Sequence, residues 1–162
     1  MNENALNYDG LSTGSTFKTI RYAGLAAGIL DGLAAVGSSA LNGVSPARLF
    51  QYIASALLGR ASFESGLVSV LLGFALHFAV AFSVAGVYFY ASRRLSFLIQ
   101  HVVLSGTIYG IIVYFVMQII VNLTLAPSLP FSIFGVVQGV FIHIFFVGLP
   151  IAVIVRRFTK PL

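Results

Sequence analysis

Four stretches of this chain, 17–41, 63–91, 97–123 and 131–155, are apolar over most of their length and carry almost no charge. About 20 apolar residues in a helix cover the hydrocarbon core of a bilayer. Because no water reaches that core to pair the backbone, such a run has to be helical there, with its N–H and C=O groups bonded inside the segment. The fold class that follows is all-α: a polytopic membrane protein built as a four-transmembrane-helix bundle. Composition points to the same solvent. Of the residues, 59% are hydrophobic and 8% charged, against about a quarter charged in a typical soluble domain.

Little chain is left outside the spans. A polar leader covers 1–16, a single transmembrane domain 17–157, and a basic tail 158–162. The first span follows Lys18 and Arg21 as a signal peptide would. It is longer than the roughly 7 to 15 residues of a signal-peptide apolar region, however, and holds an acid, Asp31, at its centre.

Residues 46–58 read as a short interfacial amphipathic helix between spans one and two. Ser45 is placed to cap it, Pro46 suits its first turn and Gly59 closes it. Leu49, Tyr52, Ile53, Ala56 and Leu57 recur at helical spacing, with Arg48, Gln51 and Ser55 opposite. That pattern predicts a helix lying on its apolar face in the outer interface, as a brace or as a lid over a cavity between the spans. Ser62 and Glu64 are expected to start the second span and Ser132 to cap the fourth. Pro150 is expected to bend the fourth span by freeing the carbonyl of Phe146.

The basic residues are sorted by loop. With four crossings Lys18, Arg21, Arg93, Arg94, Arg156, Arg157 and Lys160 fall on one side, and only Arg48 and Arg60 on the other. This positive-inside bias predicts cytoplasmic N and C termini. A net charge of +5 distributed in this way forms no patch for nucleic acid. With no cysteine, disulfides and thiolate metal sites are excluded. No Ser-His-Asp set, phosphate loop or carboxylate pair is present, so no catalytic residue is assigned and the expectation is a protein that is not an enzyme.

Within the spans stand three ionisable residues, Asp31, His77 and His143. An ionisable group at membrane depth is costly, which makes it a functional hypothesis. Counting from the basic anchors at Arg21, Arg93 and Arg156 places Asp31, His77 and His143 roughly 15, 24 and 20 Å deep at 1.5 Å per residue. Counting from the outer ends narrows that spread, so the three side chains are expected to share one layer as a buried polar site. Tyr114, Gln118, Asn122 and Gln138 would extend a polar path toward the outer face. A neutral histidine beside a protonable acid is the equipment of a proton relay, which suits proton-coupled permeation or small-ligand binding. The alternative is a structural or assembly subunit in which these residues are interhelical glue. A second alternative is a bis-His haem b protein with His77 and His143 as axial ligands, each having a glycine one turn earlier. A metal site of Asp31, His77 and His143 is admissible on ligand type alone. His101, a few residues past Arg93 and Arg94, is expected to be wet and ordinary.

Small residues four apart mark faces where membrane helices approach closely. Gly24, Gly28 and Gly32 form such a stripe in span one, Gly106 and Gly110 in span three. Gly73 precedes His77 by four, and Gly135 and Gly139 share a stripe with His143. The halves look alike: each pairs a glycine-striped span with a histidine span ending in two arginines, the pattern of a duplicated hairpin.

The stretch from Gly43 to Ser55, the triplet Leu76, His77 and Phe78, and His143 followed by the run Gly148 to Ala152 resemble a group of small bacterial inner-membrane proteins with four transmembrane helices. The likeness runs from Thr19 to Arg157. It implies the four-helix fold and the bacterial inner (cytoplasmic) membrane, and carries over no catalytic residue. The expected partners are the lipid bilayer and either a second copy or a membrane complex, because four short spans enclose little space. No cofactor is expected on this reading.

Overall fold

The computed structural model describes residues 13–125 and 132–159, without the side chains of 13–15 and 121–125. Its elements are helical throughout: α1 (Thr13–Leu41), α2 (Pro46–Leu58), a 3-10 turn (Gly59–Phe63), α3 (Gly66–Ser92), α4 (Phe97–Gln100), α5 (Val102–Leu125), α6 (Ile133–Ile142), a π-helical segment (His143–Gly148) and α7 (Leu149–Thr159). Four stretches are long and apolar enough to cross a membrane, namely Thr16–Leu41, Gly66–Ser92, Val102–Ile120 and the continuous run Ile133–Thr159.

The bundle is turned inside out relative to a water-soluble one. Its centre is built largely from small or slender side chains, among them Ala23, Ala27, Ala85, Val113, Ile151 and Ala152. Large apolar residues face outward, with Leu33, Val103 and Phe134 at 67%, 72% and 75% exposure. In water that surface would be a severe liability, whereas hydrocarbon accepts it without penalty. Since lipid tails are as apolar as leucine, close backbone approach takes over from hydrophobic burial as the reason helices meet.

That difference accounts for a correction at α2. Ser45 accepts from the Arg48 amide at 3.3 Å, Pro46 occupies the first turn and Gly59 ends the helix with φ +57°. The buried residues, however, are Ala54 and Ser55, while Leu57 is 67% exposed. Gln51, expected on the free side, points its amide at Ser69 Oγ and the Gly66 carbonyl, both at 3.5 Å. The helix turns its small, weakly polar face to α3, and the Phe50 carbonyl occupies the space a Cβ on Gly73 would need. Ser55 and Gln51, read as the free side, are thus turned inward, while Leu49, Tyr52, Ile53 and Ala56 of the apolar stripe are half-buried. Arg48, in the first turn of α2, is held over the ring of Phe63 at the end of the 3-10 turn, 4.1 Å from its centroid.

Three further elements depart from the sequence expectation. Ser62 does not start α3: it is buried in the 3-10 turn, its Oγ without a hydrogen-bond partner among the described residues, and α3 begins at Gly66. The third span is broken near its start. His101 ends the short α4 with φ −113° and ψ 59°, exposed and in ring contact with Phe97 at 5.0 Å. Tyr88 Oη and Ser105 Oγ, each 3.0 Å from the Leu98 carbonyl, serve that carbonyl beside the break. In the fourth span the helix answers Pro150 by widening to a π turn ahead of it, the Leu149 amide donating to Ile144 five residues back. A proline ring collides with the carbonyl four residues earlier, and the wider turn relieves that contact.

The chain ends of α1 and α7 meet at the end of the bundle carrying the basic residues. Tyr22 and Phe158 stack at 5.6 Å with Lys18 over the Phe158 ring. Ser132 caps α6 by accepting from the Gly135 amide at 3.3 Å.

Candidate functional site

The α1 glycine stripe meets large side chains of α3. A Cβ on Gly24 would strike the Phe82 ring, one on Gly28 would stand 2.8 Å from the Phe78 ring, and one on Gly32 would stand 3.1 Å from His77 Nε2. This close approach lets His77 reach across the interface, where Nε2 lies 2.8 Å from the Gly28 carbonyl oxygen. A carbonyl only accepts, so Nε2 holds the proton and Nδ1 is the acceptor in the neutral ring.

In the other half, α5 glycines lie backbone to backbone on the π segment. A Cβ on Gly110 would come within 2.6 Å of the His143 carbonyl oxygen, and Gly148 is pressed against the Gly106 carbonyl. His143 Nδ1 lies 2.9 Å from the Gly139 carbonyl of its own helix, which leaves Nε2 as its acceptor in the neutral ring. Tyr114 packs edge-on against this imidazole at 5.4 Å, its ring filling the space a side chain at Gly139 would take. The two histidines are thus held differently, one by a neighbouring helix and one by its own.

Asp31 is half-buried and has no hydrogen-bond or ion-pair partner among the described residues. It does not bond either imidazole. What the three share is a cavity of about 240 Å³. α1 contributes Ala27, Asp31 and Ala35 to its wall, α3 His77, Val80, Ala81 and Val84, α5 Val113, Met117 and Gln118, and the π segment His143 and Val147. Ile53 of α2 adds the last wall residue. On the side of the cavity nearer the basic end, Tyr109 Oη donates to the Val84 carbonyl at 2.6 Å and ties α5 to α3.

Of the residues read as a polar path, Gln118 lines the cavity and Tyr114 stands against His143. Gln138 is half-buried on α6 and lines no part of the cavity, and the Asn122 side chain lies outside the described residues. Gly135, read as a packing residue, has only its own cap Ser132 nearby among the described residues, because it sits in the first turn of α6. Among the described residues, no three His, Asp or Glu side chains are grouped to hold a metal ion. Axial ligation of haem through His77 Nε2 would require that nitrogen to leave the Gly28 carbonyl.

Among the residues that the sequence reading did not place at the site are Ala35, Val113, Met117, Val147 and the Gly28 carbonyl. Small and aliphatic wall residues look like any others in a membrane span, and a backbone acceptor leaves no trace in sequence. No family model matches the chain, and neither does any curated protein or solved structure.

Proposed function

We propose that this is a multi-pass bacterial inner-membrane protein, with cytoplasmic termini, that binds a small ligand in the cavity between its spans. The loop bias of the basic residues supports the orientation, and the four long apolar helices support a place in a membrane. The observation that carries the binding reading is the pairing of an unpartnered Asp31 with two histidines from other helices on one cavity wall.

The rival reading, interhelical glue, accounts for His77, which bonds across to α1. It does not account for Asp31, which bonds nothing among the described residues. A polar group without a partner in an apolar setting lowers stability, and sites built for function characteristically carry that cost. Asp31 bonds neither imidazole directly among the described residues, and ligand binding uses the same three residues through the cavity they share.

The test is reversible unfolding of Asp31→Asn and Asp31→Leu in mixed micelles. A binding role predicts stability unchanged or raised in both. A glue role predicts a fall of about 1 kcal/mol or more, the scale of interhelical hydrogen bonds in membranes.

A further inference from the structure

The cavity's polar groups are nearly all of one kind. Asp31, ionised, can only accept hydrogen bonds. His77 donates through Nε2 to Gly28 and His143 through Nδ1 to Gly139, so the nitrogen left over on each neutral ring is also an acceptor. Among the described wall residues only Gln118 has a side-chain N–H to spare, and none is a lysine, an arginine or a second carboxylate. The rest of the wall is alanine, valine, isoleucine and methionine. At about 240 Å³ the space is roughly eight water volumes and falls just below the range of pockets for drug-sized ligands.

We propose that the cavity takes a small organic cation, a primary or secondary ammonium on a short apolar body, whose N–H groups bond the Asp31 carboxylate and the free imidazole nitrogens. This inference rests on the ligand-binding reading above and narrows it to a chemical class. An ammonium supplies the donors that the wall lacks and the opposite charge that Asp31 lacks, while its hydrocarbon meets the aliphatic wall. A carboxylate of the same shape would face Asp31 at low dielectric, where like charges repel strongly. A neutral alcohol brings one donor and no charge. A bare metal ion finds no group of three suitable ligands among the described residues.

The experiment compares three probes of one shape, cyclohexylammonium, cyclohexanol and cyclohexanecarboxylate, binding to the full chain in lipid nanodiscs at neutral pH. The expected result is that cyclohexylammonium binds about tenfold or more tighter than cyclohexanol, the difference a charge-assisted hydrogen bond makes, with the carboxylate weakest. Asp31→Asn should bring the ammonium down to the level of the alcohol. Ala35→Phe, which fills the cavity, should abolish all binding; Ala35→Leu is the milder filler, and the unfolding midpoint of each variant without probe reports its folding.

If the alcohol or carboxylate binds as well as the ammonium and Ala35→Phe still abolishes binding, the cavity is a ligand site and the ammonium assignment is wrong. An ammonium preference that survives in Asp31→Asn overturns Asp31 as the anchor. If no probe binds, or binding ignores both Ala35 variants, the ligand-binding reading falls together with this inference.

Discussion

His77 Nε2 stands 2.8 Å from the carbonyl oxygen of Gly28, and this bond joins α3 to α1 at the edge of the cavity. It forms only because Gly28 and Gly32 have no side chains, so that the imidazole can lie against the α1 backbone. Removing the ring as His77→Phe, which keeps bulk and aromatic contact with Phe50 and Phe78, should cost about 1 kcal/mol in reversible unfolding, the usual size of an interhelical hydrogen bond in membranes. An unchanged unfolding free energy would show that the bond contributes nothing net.

Glycines that look alike in sequence should behave in opposite ways. At Gly73 the Phe50 carbonyl of α2 fills the position of a side chain, and backbone cannot swing aside. Gly73→Ala should therefore cost about 1 to 3 kcal/mol by overpacking and loosen α2, read as increased proteolysis within 46–58. Gly37, in the same kind of helix, has nothing within 4 Å. Gly37→Ala should be neutral or stabilising by up to about 1 kcal/mol, since alanine is the better helix former. Equal effects at the two positions would contradict the packing described here.

Pro150 makes a third test because its influence passes through backbone geometry. The π turn at His143–Gly148 inserts an extra residue into the helix register just before it. One residue in an α-helix is about 100° of rotation, so restoring α geometry would turn His143 relative to the α7 face. Pro150→Ala gives back an amide donor and removes the ring clash. It should leave stability equal or higher while weakening cyclohexylammonium binding. Unaltered affinity in this variant would show that the π turn does not position the site.

Much of this architecture was legible in the sequence because lipid imposes blunt rules. Run length and the scarcity of charge placed the four spans, and Ser45, Pro46 and Gly59 marked α2 through local capping chemistry. Their being ionisable inside uncharged spans singled out Asp31, His77 and His143, three side chains that line one cavity. What escaped were features decided by partners. On α2 the burial of Ala54 and Ser55 went unread because small residues that permit close contact carry no apolar signal, while Leu49, Tyr52, Ile53 and Ala56 of the apolar stripe are half-buried. The break at His101 depends on Tyr88 and Ser105 serving the Leu98 carbonyl, a relationship with no local pattern. Pro150 announced a disturbance but not its form, a π turn ahead of it that lies against the glycines of α5.

The chain has no cysteine, so a single introduced thiol reports its own surroundings, and this allows the most direct test of a ligand cavity containing Asp31. Thiols react as thiolates, which form in polar, reachable places and not in hydrocarbon. Ala35→Cys places the thiol on the cavity wall and Leu33→Cys places it on the outward apolar surface, two residues away. The account predicts that aminoethyl methanethiosulfonate labels Ala35→Cys in membranes, faster than the anionic sulfonatoethyl reagent does, while Leu33→Cys stays unlabelled. Labelling of Leu33→Cys as fast as Ala35→Cys, or an Ala35→Cys thiol that neither reagent reaches, would contradict it.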